Sequence, residues 1–164
     1  YSNLTESNLE DAILSDSDLS YSNIANAFLR RANLQKAQLL FADLTFADLR
    51  DTLLVDSDFQ YAILINADLT GANLRGAELN EANLSMSYLT DTKLIWANFS
   101  GANLSDADLA NALFGMTDLS GANMETTLNL TQDQLDSACW DGKTEPILPP
   151  SMSPPSMICP EYTQ

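Results

Sequence analysis

A five-residue repeat limits what this chain can fold into. From residue 4 to residue 124 every fifth residue is large and apolar, which gives twenty-five consecutive positions. They are all leucine except Ile24, Phe59, Phe99, Phe114 and Met124. Two residues before each stands Ala, Ser or Thr, and the residue between is usually Asn or Asp. This regularity constrains the fold strongly and the function only weakly.

A period of five fits neither a helix nor a flat strand. On an α-helix five residues turn the chain by about 500°, so successive leucines would point in different directions. On a strand the side chains alternate between faces, so an odd spacing would send every second leucine to the opposite face. The leucines share one interior only if the chain turns by a similar angle every five residues. The pattern therefore predicts a solenoid whose stacked coils bury the leucines and pair their backbones.

The A(D/N)LXX motif, as in Ala72-Asn73-Leu74, resembles the pentapeptide-repeat family, and the resemblance covers residues 1–126. It implies an all-β solenoid, namely a right-handed, quadrilateral (four-sided) β-helix with four pentapeptides per coil and about six coils. Coils would then stack at a spacing of twenty residues. Outward residues agree with that spacing, because opposite charges alternate at Asp11, Arg31 and Asp51. Neighbouring strands favour such pairs.

An aromatic column is the most concentrated apolar feature outside the predicted core. It consists of Tyr21, Phe41 and Tyr61, with Leu40 and Ile63 nearby. Exposed apolar patches mark binding sites for other proteins, so these five residues form the candidate protein-binding surface. The alternative is structural, because rings on adjacent strands also stabilise a sheet by stacking on each other.

Residues 127–164 form a second segment, which is predicted to be a short α-helical C-terminal cap with a proline-rich tail. Thr131 is the expected N-cap, Gln134 completes a capping box, and Gly142 is a natural end for the helix. All six prolines lie in this segment, so none removes a hydrogen-bond donor from the repeat. A helix here would cover the last coil, whose open edge would otherwise pair with another chain.

Both cysteines, Cys139 and Cys159, also lie in this segment. A disulfide between them is typical of an oxidising compartment, whereas reduced thiols are typical of the cytoplasm. The chain starts at Tyr1 without an initiator Met, which suits either a trimmed chain or a mature protein whose signal peptide was removed. These features favour a disulfide and a location in the thylakoid lumen or periplasm, as the resemblance to lumenal cyanobacterial members implies. A cytoplasmic location is the alternative.

The residue types present argue against enzyme chemistry. The chain has no His and no CxxC motif, and paired acids such as Asp56 and Asp58 would lie on a convex rod without a cleft to tune their pKa. We therefore expect no catalytic residue, no metal site and no cofactor. Weak Ca²⁺ binding by the acidic surface is a further hypothesis, although the sequence contains no EF-hand loop motif. No apolar run approaches the length of a membrane span.

The net charge of −16 argues against direct binding to nucleic acid. The first hypothesis is a non-enzymatic structural or interaction module that binds another protein, as a monomer or weak dimer. The second follows from the resemblance, since some members mimic DNA and bind DNA gyrase. Residues 1–126 hold 18 acidic and six basic residues on all sides of the rod, whereas duplex DNA carries one charge per ~1.7 Å. Acidic DNA mimicry is therefore the second hypothesis.

Overall fold

Successive coils of the chain stack by parallel backbone pairing. The computed structural model describes residues 1–160. Isolated parallel β-bridges join every fifth residue to the residue twenty positions later, from Asn3 with Asn23 to Asp108 with Leu128. The Leu4 amide, for example, donates to the Asn23 carbonyl at 2.7 Å. Each coil thus takes twenty residues, which is four pentapeptides, and the chain is a repeat β-solenoid.

Each pentapeptide ends in a turn whose third residue has a positive φ. The Ser7 amide closes the first turn by donating to the Leu4 carbonyl at 3.1 Å, and Glu6 has φ 58°. A positive φ at the third position is what a type II turn requires. The conformation recurs at every fifth residue through Gly121, including the aromatic residue Phe46. It costs a side-chain-bearing residue roughly 1–2 kcal/mol, which the hydrogen bonds between coils offset.

The central and the small residue of each pentapeptide point inward and form the core. Every central residue from Ile24 to Met124 is at most 2% exposed. Leu64, Leu84 and Leu104 therefore lie in one buried column, since they are twenty residues apart and their outward neighbours are bridged. The leucines of the first coil are only partly buried, because one side of that coil is uncovered.

Polar groups next to the core are paired within each coil. Where the small residue is Ser or Thr, its hydroxyl donates to a backbone carbonyl three residues earlier, as Ser57 does to Leu54 at 2.7 Å. The outward Asn or Asp of the motif accepts the amide hydrogen two residues later, as Asp58 does from Gln60 at 3.0 Å. The hydrogen bond to a backbone amide therefore explains why Asn or Asp recurs at this position, and no binding role is needed to explain it.

A short helix, α1 (Gln132–Asp136), follows the repeat. Thr131 is its N-cap, and the predicted capping box with Gln134 is present. Leu135 is fully buried against the last coil. The helix does not reach Gly142 as the sequence predicts, because the residues after Asp136 pair instead with the edge of the last coil.

The Gln134 side chain also continues the pairing of the coils. Its amide group donates to the carbonyls of Leu109 and Ala112, at 2.8 and 3.0 Å. In earlier coils the carbonyl equivalent to that of Ala112 accepts a backbone amide from the next coil, as Ala12 does from Asn33. One side chain thus replaces part of a missing pentapeptide.

The tail pairs with the same edge of the last coil. The Cys139 amide donates to the Thr117 carbonyl at 2.9 Å, and the Ile147 amide donates to the Ala122 carbonyl at 2.8 Å. Two short strands, β1 (Cys139–Trp140) and β2 (Met157–Ile158), pair in parallel. None of the helices among the described residues has the length and apolar character needed to cross a membrane.

We expect Leu84→Ala to lower the free energy of unfolding by about 2–5 kcal/mol, because the stacked coils cannot collapse into the cavity that it leaves. Denaturant titration measures the change. Lys93→Ala is the control, since Lys93 is exposed and its removal should alter stability by no more than about 0.5 kcal/mol. A loss at Leu84 as small as that of the control would contradict the buried column.

Candidate functional site

Four aromatic rings form a ladder at one corner of the solenoid. Ring centroids are 5.1 Å apart between Tyr21 and Phe41 and 4.9 Å apart between Phe41 and Tyr61, with interplanar angles of 18° and 12°. The Tyr1 ring extends the ladder, with its centroid 5.5 Å from that of Tyr21. The structure therefore contains the predicted aromatic column. We call these four residues the ring ladder; the twenty-residue spacing alone points to Tyr1 as its first member.

The residues predicted to accompany the ladder lie beside it. Tyr21, Phe41 and Tyr61 are 46%, 45% and 47% exposed. Leu40 precedes Phe41 in the same turn and is partly buried. Ile63 follows Tyr61 by two residues, faces outward and is 39% exposed. All five predicted residues thus lie at one corner and the start of the adjoining face.

Stacking determines what the ladder can do chemically. The two middle rings, Tyr21 and Phe41, are sandwiched between neighbours, so they present mainly their edges to solvent. The ladder therefore offers a partner apolar contact through its rings and hydrogen bonds through its tyrosine hydroxyls.

Arginines bind carboxylates at another corner. Arg31 makes a bidentate contact with Asp11, with both N–O distances 2.8 Å, and its Nη2 lies 3.0 Å from a Glu10 carboxylate oxygen. This confirms the predicted alternation of Asp11 and Arg31. Asp51 does not pair with Arg31 as the alternation predicts; its Oδ2 lies 3.6 Å from Nε of Arg30. Long arginine side chains reach sideways as well as along the column, so the column alone does not fix the pairs.

Arg50 holds two carboxylates of adjacent coils. Its Nε donates to Oδ1 of Asp48 at 2.8 Å and lies 3.6 Å from Oδ2 of Asp68. The hydrogen bonds from Arg50 hold the pKa of Asp48 below its usual range, as those from Arg31 do for the pKa of Asp11. These two carboxylates stay charged at neutral pH and are paired with cations, so neither is suited to act as a general acid or base.

Several of the remaining acids within residues 1–160 accept backbone hydrogen bonds in turns. Aspartates occur two positions apart at residues 16 and 18, 56 and 58, and 106 and 108. In each pair the second carboxylate accepts a backbone amide hydrogen in a turn, as Asp18 does from Ser20 at 3.0 Å and Asp108 does from Ala110 at 3.1 Å. This backbone hydrogen bond is the main cause of the lowered pKa of Asp18. Within residues 1–160, no group of three or more His, Cys, Asp or Glu side chains is arranged to hold a metal ion.

Three further exposed apolar side chains stand at positive-φ corners outside the predicted surface. Phe46, Met86 and Trp96 are 59%, 50% and 40% exposed. The sequences of their pentapeptides do not indicate an exposed interaction surface, because the corner position accepts almost any residue type. Phe46 and Met86 are forty residues apart, so the twenty-residue spacing places them in one column, with Asn66 of the coil between them.

A disulfide joins Cys139 to Cys159 at the covered end of the solenoid, with Cα atoms 4.9 Å apart. Cys139 is buried, at 1% exposure, and belongs to β1, which pairs with both the last coil and β2. The bridge therefore fastens the far end of the tail to the edge that the tail covers.

Comparison with known proteins finds the same repeat in a family model and in a solved structure. The family model described as pentapeptide repeats matches the chain in eight copies, at residues 1–23, 12–51, 52–86 and 87–125. A solved pentapeptide repeat protein from Nostoc PCC 7120 is 32% identical, covers 68% of this chain and 85% of its own, and superposes with a TM-score of 0.51. A comparison with curated proteins found no match.

Two further solved structures match the chain at lower identity. A pentapeptide repeat protein from the Arabidopsis thaliana thylakoid lumen is 26% identical over 74% of this chain and 70% of its own, with a TM-score of 0.48. QnrB1, a plasmid-mediated fluoroquinolone resistance protein, is 17% identical over 89% of this chain and 79% of its own, with a TM-score of 0.38. Likeness at these levels carries no argument about what this chain binds or where it resides.

Proposed function

Since the chain belongs to the pentapeptide-repeat family, we propose that it is a non-enzymatic interaction module that binds another protein. The observation that carries this proposal is the ring ladder, which holds half-exposed aromatic side chains on a regular solenoid. The proposed binding surface comprises Tyr21, Leu40, Phe41, Tyr61 and Ile63. Aromatic side chains dominate the binding energy of an interface when a partner buries them.

The ladder suits binding because its rings are ordered before a partner arrives. The Tyr21 amide donates to the Leu40 carbonyl at 2.8 Å, and the Phe41 amide donates to the Gln60 carbonyl at 3.0 Å. Each ring thus stands on a hydrogen-bonded turn and also stacks on its neighbours. Side chains that are already ordered lose little conformational entropy on association, so more of the contact energy appears as affinity. The proposal requires no cofactor and no catalytic residue.

The proposed architecture is a right-handed, four-sided solenoid of about six coils in residues 1–126, closed by residues 127–164. The last four residues of this segment lie outside the described part of the chain. Support for closure comes from the Gln134 side chain and from the amides of Cys139 and Ile147, which pair with the last coil. The occupied edge at this end does not add strands from another chain, which supports a monomer or weak dimer over a stack of copies, and the first coil keeps one uncovered side.

The proposed location is the thylakoid lumen or periplasm of a cyanobacterium-like cell. The disulfide between Cys139 and Cys159 supports it, because such bonds persist in oxidising compartments and are rare in the cytoplasm. A cytoplasmic location is the alternative, in which both thiols would be reduced.

The alternative function is an acidic DNA mimic that binds DNA gyrase. The net charge of −16 favours it, since a mimic must present dense negative charge. The corner that holds Arg30, Arg31 and Arg50 opposes it, because these cations lie among the carboxylates of the first four coils and break the run of negative charge. Protein binding through the ladder is therefore the first proposal.

We expect a Tyr21→Ser, Phe41→Ser, Tyr61→Ser variant to fold and to lose the partner that the parent protein recovers from extract of its native compartment. Each lost ring pair should cost only about 0.2–1 kcal/mol of stability, so denaturant titration should still show a cooperative transition. Quantitative mass spectrometry of the two baits measures the partner. If both baits recovered the partner equally, the ladder would have only a structural role.

A matched control separates ring loss from the effect of serine at a positive-φ corner. Asn26, Asn66 and Asn111 occupy the same turn position with φ between 56° and 58°. Their triple replacement by Ser places three serines in the same backbone conformation and leaves every ring in place. This control should recover the partner as the parent does.

We expect both cysteines of protein taken from its native compartment to be protected from alkylation before reduction, because they are bonded to each other. Intact-mass spectrometry before and after reduction gives the number of reactive thiols. Two alkylated cysteines in unreduced material would place the protein in a reducing compartment and remove the support for a lumenal or periplasmic location.

We expect the purified protein to leave gyrase supercoiling unchanged at micromolar concentration, because paired arginines interrupt its acidic surface. A gel assay of plasmid topology measures this, with a polyanion of known inhibitory strength as the positive control. Inhibition that weakens as salt is added would instead favour the DNA mimic, since displacement of a charged ligand depends on ionic strength.

A further inference from the structure

A second apolar surface runs along a different side of the solenoid from the ring ladder. It contains Phe46 and Met86 at one positive-φ corner and Phe28 and Tyr88 on the outward positions that follow that corner. We call these four residues the Phe46 face. Their side chains are 50–59% exposed, which exceeds the exposure of the middle rings of the ladder. Large apolar side chains grouped in this way indicate an interaction site.

The rings of the Phe46 face differ from those of the ladder in having no aromatic ring of residues 1–160 stacked on them. In the part of the chain that the structure describes, stacked or tilted ring pairs occur only within the ladder. Phe28 and Tyr88 are three coils apart, with Asp48 and Asp68 bridged between them. Since no ring of this face stacks on another, a partner has access to apolar ring area that stacking covers in the ladder.

Carboxylates lie between the apolar side chains on this face. The bridged column runs from Phe28 through Asp48 and Asp68 to Tyr88, and Asp108 follows. Arg50 contacts Asp48 closely and Asp68 at 3.6 Å, and Arg30 also lies beside Asp48 and Phe28, so the negative charge of this face lies chiefly at Asp68 and Asp108. A partner that complements the face must therefore bring apolar side chains and positive charge together.

The spacing of the apolar groups matches one face of a helix. Phe46 and Met86 are two coils apart, which is about 10 Å at the usual separation between paired strands. Residues i and i+7 of an α-helix are separated by about the same distance, roughly 10.5 Å. Asp68 belongs to the coil between them, where residue i+3 or i+4 of such a helix would lie. We propose that the Phe46 face binds a basic amphipathic helix of a protein partner.

The charge of the chain argues against other occupants of this face. A second copy carries the same net charge of −16, and so it would be repelled, as would nucleic acid. A helix with lysine or arginine between its apolar residues is attracted by the same field and is steered to the face during association. The proposal does not depend on the ring ladder, which lies at another corner.

The test uses a synthetic 18-residue helical peptide with leucine at i, i+7 and i+14, lysine at the i+3 and i+4 positions of each repeat, and alanine elsewhere. Isothermal titration calorimetry at low salt measures its affinity for the full chain. We expect saturable one-to-one binding, and roughly tenfold weaker binding when Phe46→Ser and Met86→Ser are combined. The same peptide with glutamine for lysine should also bind at least about tenfold more weakly.

Two control variants separate this face from general attraction by the acidic surface. Asp68→Asn should weaken binding severalfold, whereas Asp58→Asn should change it less than about twofold. The two carboxylates make the same backbone hydrogen bond, since each accepts the amide hydrogen two residues later at 3.0 Å; of the two, Asp68 also lies 3.6 Å from Nε of Arg50. Trp96→Ser is the matching apolar control, because Trp96 is also an exposed ring at a positive-φ corner.

The outcomes decide the proposal in either direction. Selective weakening by the Phe46-face variants, with Asp58→Asn and Trp96→Ser binding as the parent does, supports it. The absence of saturable binding, equal weakening by the controls, or a loss confined to ring-ladder variants would overturn it. If the double apolar variant does not fold by circular dichroism, the comparison of Asp68→Asn with Asp58→Asn still decides the question.

Discussion

The structure depends on one constraint, which is that the chain must return to the same place every twenty residues so that its backbone pairs with the coil before it. Each contact is a single-residue bridge rather than an extended strand, so no isolated pair holds the coil together. The repeated turns, the buried leucine and the outward Asn or Asp all serve that return. Tyr21 and Phe46 accept a left-handed backbone because the hydrogen bonds of two coils require it.

Because every coil has the same length, the surface is organised as columns, and each column takes the character of residues twenty apart. Ring stacking at one corner, arginine pairing at another and acids between rings on a third side all arise in this way. The columns also differ in how much apolar ring area they leave available to a partner. The ladder rings cover one another, whereas Phe28 and Tyr88 are separated by two aspartates and have no ring of the described residues stacked on them.

The C-terminal end of the solenoid is built differently, because no further pentapeptide repeat pairs with the last coil. The Gln134 side chain, the backbone from Ser137 to Cys139 and the segment around Ile147 each satisfy part of the last coil. These contacts join irregular segments to a regular edge. Leu135 and Ala138 then extend the hydrophobic core into the tail, so the tail packs as part of the same core as the repeat.

The sequence by itself determined the buried leucines and the capping box at Thr131, since each is a local pattern. The four pentapeptides per coil that the family resemblance implies then gave the twenty-residue stacking and the aromatic column from Tyr21 to Tyr61. Only the tertiary structure decided that Asp51 pairs with Arg30, that α1 stops at Asp136, and that no ring in the described part of the chain stacks on Phe46 or Tyr88. These outcomes depend on which groups from distant parts of the chain compete for one neighbour, and a periodic pattern carries no information about that competition.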